Sequence, residues 1–216
     1  MRTRMTLLLN GCSYGEVWKD FPGVNLSKSG GSFIRSIRTT IEWIVRNKTK
    51  PNYVFIPITN VARFEKSYIM KQNIPVEGSY VNSTPEDYAT YTSKISDSCY
   101  MDYDYAFMNI IMFSSWLEQQ KIKYLIWDQC NMFDKKHIHG FNGMEKLKLV
   151  EQNNRIIPLF KFCGNQYMYE KKGKWIDVDS NHEPSVRHYH NESYDILKDY
   201  LHQYAKEQLN ETIDWN

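Results

Sequence analysis

The residues best suited to chemistry stand near the two ends of the chain. Thr6-Leu7-Leu8-Leu9-Asn10-Gly11-Cys12-Ser13-Tyr14-Gly15 carries an apolar strand into a glycine, with a serine following on the turn. Placed at the carboxyl end of a strand, Ser13 stands where open α/β sheets put their ligands. A serine needs a base to take its proton, and the base needs an acceptor to fix its tautomer. Asp179-Ser180-Asn181-His182 offers both, an Asp and a His three apart, ahead of Pro184 and a final helix. Gly-x-Ser after a strand is also common turn composition, and a serine there is a frequent helix cap. The distant Asp-x-x-His is what favours a nucleophile over a cap.

These residues resemble the SGNH (GDSL-like) hydrolase superfamily, through four short blocks spread over most of the chain. Gly11-Cys12-Ser13-Tyr14 is similar to the nucleophile block, with Cys12 where Asp is commoner. Asn25-Leu26-Ser27-Lys28-Ser29-Gly30-Gly31-Ser32 looks like the second block, whose glycine lends a backbone N–H to the oxyanion hole. Ile58-Thr59-Asn60-Val61 stands at the third, where the family has Gly-x-Asn-Asp and its Asn supplies a side-chain donor. Asp179-Ser180-Asn181-His182 matches the last block in spacing, although Glu183 separates His182 from Pro184. Thr59-Asn60-Val61-Ala62-Arg63 is also similar to divergent members in tailed-phage genomes. The resemblance implies Ser13, Asp179 and His182 as catalytic residues, with Ser13, Gly30 and Asn60 forming the oxyanion hole. It implies a serine esterase acting on acetyl or other short acyl esters, such as an acylated glycan, without a cofactor. An acyltransferase with the same triad, and a catalytically silent glycan- or protein-binding relative, are the other readings.

Rival candidates are weaker. Cys12 is chemically the better nucleophile, but alternation along a strand turns it away from the side Ser13 faces. Asp177 lies five residues before His182 and reads as a surface carboxylate. His137-x-His139 and His188-x-His190 lack helical spacing or an accompanying Cys, so solvated loop histidines explain them better than a metal site. Trp18 and Arg63 are candidate substrate contacts, and each is equally a packing or surface residue.

The elements that must position these groups follow from pattern. Met5–Asn10, Tyr53–Ile58 and Lys123–Trp127 are apolar runs of the kind buried on both faces of a parallel sheet. Between them lie helical patterns: Ser32 through about Arg46 with Ile34, Ile37, Ile41 and Ile44 in register, and Met101–Gln120. Thr84 to about Ile95 starts as a capped helix, Gly143–Asn154 is helical, and a last helix runs from about Asn191 to Gln208. Gln166–Asp177 alternates weakly around Lys172-Gly173-Lys174, as a hairpin would. Strand, helix, strand in this order predicts an α/β fold, a three-layer α/β/α sandwich with a central parallel sheet, flavodoxin-like. One domain over 1–216 is expected, with an insertion at about 61–100.

Composition narrows the function. The chain has 216 residues, enough for one α/β core, and a formal charge of +2 with scattered basic residues. That balance gives no electrostatic case for nucleic acid. Its 4 cysteines include no Cys-x-x-Cys pair, so neither zinc nor a redox couple is expected. No run reaches the roughly 20 apolar residues of a membrane helix. A leader's apolar stretch would consume the strand that carries Ser13, so a cytoplasmic protein without a signal peptide is expected.

Overall fold

The computed structural model describes residues 6–29, 31–58, 65–69, 75–82, 98–131, 133, 141–176 and 188–215. In chain order these form β1 (Leu7–Leu9), α1 (Ser13–Glu16), β2 (Val24–Asn25), α2 (Phe33–Arg46) and β3 (Tyr53–Ile58). β4 (Glu65–Ile69), β5 (Pro75–Asn82), α3 (Ser98–Gln119), β6 (Lys123–Asp128) and α4 (Phe141–Glu151) follow. α5 (Gly164–Glu170), a 3-10 turn at Asn191–Ser193 and α6 (Tyr194–Leu209) complete the described elements.

The sheet runs β2-β1-β3-β6 with every pair parallel. Past β6 the Ile126 N–H donates to the Arg155 carbonyl at 3.1 Å and the Ile157 N–H to the Ile126 carbonyl at 2.9 Å. The apolar run after α4 thus joins the far edge, also in parallel. Every residue of β1 and β3 is buried, as unbroken apolar runs covered on both faces must be. One face packs Leu8, Val54, Ile56 and Ile126 against Phe33 of α2 and Phe107 and Ile110 of α3. The other packs Leu9, Phe55 and Trp127 against Leu197, Leu201 and Ala205 of α6. The result is the expected α/β fold, helices on both faces of a parallel sheet.

Ser32 caps α2, its Oγ accepting the Arg35 N–H at 3.0 Å. The isoleucine stripe predicted to face the core is only partly so: Phe33, Ser36, Thr40 and Ile44 are buried, and Ile34, Ile37 and Ile41 flank them half-buried. Asn10 is the cause. Its Nδ2, fully buried at the end of β1, shares its two protons among Ser36 O at 2.8 Å, Thr39 Oγ1 at 2.7 Å and Thr40 Oγ1 at 2.9 Å. A buried amide needs partners, so small polar residues take the central positions of the helix face.

Two stretches differ from their sequence pattern. β4 and β5 pair antiparallel within a stretch that shows no periodicity. Gln166–Asp177 does not form a hairpin, because α5 occupies its first half. Lys172, with φ 60°, ends that helix, and the Gly173 N–H closes back on Met168 O at 2.8 Å. The Lys-Gly pair is therefore a helix terminator, not a hairpin turn. The helix expected over 84–95 lies outside the described residues, as does most of the loop expected over 131–142.

Beyond α6 the tail folds back under the amino ends of the strands. Arg155 donates to Glu211 Oε1 at 2.6 Å and Oε2 at 3.1 Å, Tyr53 Oη donates to Oε2 at 3.2 Å, and Lys123 Nζ lies 3.3 Å from Oε1. Burial pushes the Glu211 carboxyl up, but the Arg155 hydrogen bonds and the charges of Arg155 and Lys123 outweigh it, so the group sits below its usual range. A carboxyl lowered on folding stabilises the protein above its unfolded value, and that stability is lost as pH falls through the folded one. Glu211→Gln should therefore cost about 1–3 kcal/mol at neutral pH, with the deficit shrinking as the medium is acidified below the usual carboxylate range. Thermal denaturation of both proteins across pH measures this. A deficit that stays constant into acid would assign the effect to packing instead of charge.

Candidate active site

β1 ends at Leu9 and the chain must turn sharply to start α1. Gly11 permits it, since a Cβ there would lie 2.7 Å from Pro57 Cγ. Cys12, extended at φ −102° and ψ −151°, is the N-cap, and Ser13 is the first helical residue. Four residues make a weak helix, and the segment after it acts as a strap. Asn25 Nδ2 donates to Gly15 O at 2.8 Å and Trp18 O at 3.2 Å, covering one carbonyl in the last turn of the helix and one beyond it. Glu16 Oε2 accepts the Ser29 N–H at 2.6 Å, and the Lys28 N–H donates to Gly11 O at 3.2 Å. Ser27 fills the space that Gly15 leaves, where a Cβ would be 2.2 Å from Ser27 Oγ.

His188 meets Ser13 from the other end of the chain. Its Nε2 lies 2.8 Å from Ser13 Oγ, and its ring stacks on Tyr14 with centroids 4.5 Å apart and planes at 14°. The Ile176 N–H donates to His188 O and the His190 N–H to Lys174 O, each at 2.7 Å, so Trp175 and Tyr189 face each other in a short antiparallel ladder. Tyr189 is fully buried, and alternation turns His188 the opposite way. α6 begins soon after, and its first residue Tyr194 donates its phenolic proton to the Tyr14 carbonyl. For Ser13 to donate to Nε2, the neutral imidazole must carry its proton on Nδ1.

The expectation that His188 and His190 are both solvated is thus corrected. His190 is exposed, whereas His188 is half-buried and docked on Ser13. A usable signal existed: His-Tyr-His alternates polar and apolar as a strand with one inward residue, immediately before the last helix. Trp18 is corrected as well. It is 3 % exposed, packed between Phe21, Tyr194 and Trp215, and has no face left for a substrate. The separation expected between Cys12 and Ser13 also fails, with Cys12 Sγ 3.7 Å from Ser13 Oγ. Strand alternation stops at Leu9, so it does not govern a turn residue. Gly30, Asn60, Arg63, Asp179 and His182 lie outside the described residues.

The Ser13 N–H has no acceptor among the described residues, as the first amide of a helix and an anion-binding donor would. The Gly31 N–H is engaged within the strap, donating to Lys28 O at 2.8 Å. Burial raises the Cys130 thiol well above its ordinary value and pushes Cys163 up to about 12. Neither is a thiolate near neutrality, which leaves them poor nucleophiles.

No family profile matches the chain, and no curated protein does. Among solved structures it is similar to a Bacteroides fragilis protein assigned as an acylhydrolase, with a TM-score of 0.50 at 14 % identity over 97 % of this chain and 90 % of that one. It is also similar to a GDSL-like lipase from Bacteroides thetaiotaomicron, with a TM-score of 0.47 at 15 % identity over 94 % and 88 %. The likeness to the Bacteroides fragilis protein is one of fold, a parallel sheet with helices on both faces. No described helix is long and apolar enough to cross a membrane.

Because Cys12 is fully buried beside Ser13, Cys12→Ala should remove packing and leave the nucleophile in place. A cost of about 1–2 kcal/mol is expected, with the rate of Ser13 labelling by a fluorophosphonate close to that of the parent. Loss of labelling in a folded Cys12→Ala protein would give the thiol a direct part in the chemistry.

Proposed function

We propose that this protein is a serine esterase for short acyl esters, with Ser13 as nucleophile and His188 as general base. The contact of 2.8 Å between Ser13 Oγ and His188 Nε2 carries the reading. It has the reach of a nucleophile and its base, on a turn at the carboxyl edge of a parallel sheet. In the first step Oγ attacks the ester carbonyl as its proton passes to Nε2, and the carbonyl electrons move onto oxygen. The oxyanion is received by the Ser13 N–H, with Gly30 and Asn60 as the further donors that the resemblance suggests. Each such donor is worth roughly 2.7–4 kcal/mol in the transition state. As the intermediate collapses, Nε2 returns the proton to the leaving alcohol and the acyl group stays on Ser13. Water then repeats the sequence in reverse and frees the acid; an alcohol in its place would make the reaction an acyl transfer.

The last sequence block assigns the base to His182, and the geometry favours His188. Asp179 is kept as the acceptor for the imidazole N–H, on its resemblance to the family acid. An acylated carbohydrate is the substrate class we favour, by that same resemblance.

The assignment separates cleanly by mutation, using p-nitrophenyl acetate turnover and fluorophosphonate labelling. Ser13→Ala and His188→Ala should each lower turnover by several orders of magnitude, and the double variant should be little worse, as expected of groups acting as a unit. His182→Ala should retain most activity. The reverse result, with His188→Ala active and His182→Ala inert, would return the base to His182. A parent protein that neither turns over the ester nor takes the label would make the chain a binding relative. An imidazole base must also be neutral to accept the proton, so turnover should fall on acidification. A flat rate from neutral to acid pH, with chemistry limiting, would count against any histidine base.

A further inference from the structure

We propose that Ile176 is a specificity-determining residue, the apolar wall against which the alcohol half of the ester lies. The proposal rests on the assignment of His188 as base. Ile176 and His188 stand opposite each other in the short ladder. The Ile176 N–H donates to the His188 carbonyl at 2.7 Å, and the pair one step along is Trp175 and Tyr189. Opposed residues of an antiparallel pair share a face, with Cβ atoms about 4.5–5.5 Å apart, and successive residues alternate. Tyr189 is buried in the core that packs on α6, and on its side Trp175 leans on Tyr169 with ring centroids 5.9 Å apart. Ile176 therefore takes the other face, the one from which His188 reaches Ser13.

Ile176 is 43 % exposed. Single surface hydrophobes are ordinary, so exposure alone assigns nothing; register with the base is what singles this one out. Chemistry then says which half of a substrate it meets. Nε2 takes the serine proton and returns it to the leaving alcohol, so the alcohol oxygen must come within hydrogen-bond reach of the imidazole. The acyl carbon is bonded to Ser13 and its oxygen turns to the Ser13 N–H. The acyl half thus extends on the serine side of the contact, and the alcohol half extends past the histidine. Next on the same face stand Lys174, 2.8 Å from Glu192 Oε1, and the exposed His190. The apolar wall is therefore one residue long, with polar groups beyond it. An alcohol that fits has a C–H surface beside the ester oxygen and polar groups farther out, as an acylated sugar does.

The two halves of the ester can be tested apart. Butyl acetate and ethyl butanoate are isomers of equal bulk that carry the longer chain on opposite sides, and each is compared with ethyl acetate. Ile176→Ala and Ile176→Thr should each lower the kcat/KM ratio of butyl acetate to ethyl acetate by about 3- to 10-fold. That is less than the roughly 10- to 200-fold a methylene is worth in an enclosed pocket, because this wall is partly open to water. The ratio of ethyl butanoate to ethyl acetate should stay within about two-fold of the parent's. Ile176→Val, which has the shape of threonine without its hydroxyl, should keep both ratios close to the parent's. A structural role would lower all rates together and leave the ratios alone. Should alkyl ester turnover be too slow to measure, Ser13 labelling by a p-nitrophenyl phosphonate relative to a fluorophosphonate supplies the comparison, since fluoride carries no alcohol. That ratio should fall in the Ala and Thr variants. A fall confined to ethyl butanoate would move Ile176 to the acyl side, and parent values of both ratios in Ile176→Ala would remove it from the site. Either result overturns the proposal and leaves the base assignment standing, provided His188→Ala is inert. Parent-like rates in His188→Ala, or a parent that takes no label, would overturn both.

Discussion

Ser13 and His188 are 175 residues apart in sequence and must hold a contact of 2.8 Å. A tolerance of a few tenths of an ångström cannot be met by two turns that move independently, so the segments on either side are fastened to each other. Tyr194 at the head of α6 bonds the Tyr14 carbonyl and stacks on Trp18, with ring centroids at 5.2 Å and planes at 24°. Below that pair, the Asn191 side chain donates to the Asp20 carboxylate and accepts the Asp20 N–H. Trp215 of the tail joins Trp18, Phe21 and Phe55 in one aromatic cluster. The Ser13 turn and the histidine turn are therefore fastened to each other. Supporting groups of this kind are what keep a site within the geometry that chemistry requires.

The same economy governs the loop after β6. Trp127 Nε1 donates to Gln129 Oε1 at 2.6 Å, and Gln129 Nε2 donates to Asn165 Oδ1 at 2.7 Å. Asp128 accepts the N–H groups of Cys130 and Phe133, each at 3.0 Å. Asp128, Gln129 and Asn165 are all buried, so each unmade bond would cost the desolvation of a polar group. Satisfied, they fix Cys130 at the end of a rigid strand, where it meets the Tyr14 phenol. With Asn10 just past the end of β1, two strands away, they form a polar layer where the sheet gives way to the site. That layer exchanges some hydrophobic burial for directional bonds, and direction is what the loops of a site need.

The sheet and its helices were legible in the sequence because their signals are local and repeated. Three leucines, Tyr53–Ile58 and Lys123–Trp127 could hardly be anything but buried strands; the helix after Ser32 announces itself by a cap and spacing, and the long one expected over 101–120 by spacing alone. Ser13 was legible for the same reason, standing on a turn between a strand and a helix. The partner of Ser13 was not. Its place depends on which residue an antiparallel ladder, Trp175 against Tyr189, brings back to the nucleophile. A motif three residues long carries no information about that ladder, and a second histidine six positions on fits the composition equally well. Ser36 and Thr40 on the buried face of α2 were missed for a related reason. They answer to Asn10, a contact 26 and 30 residues away, which a periodicity count reads as a break in the pattern.

The two edges of the sheet divide the electrostatics. At the amino ends, Arg155, Lys123 and Glu211 form a charged clamp whose work is to hold the tail. Around Ser13, burial keeps the phenols of Tyr14 and Tyr194 and the Cys130 thiol protonated. Such a setting screens weakly, so a charge formed within it would feel nearby dipoles and ring faces strongly. The stacked Tyr14 ring is a described group well placed to answer that charge, because it offers a negative π face. A stacked aromatic wall thus provides for a charge that forms on the His188 ring without placing one there beforehand.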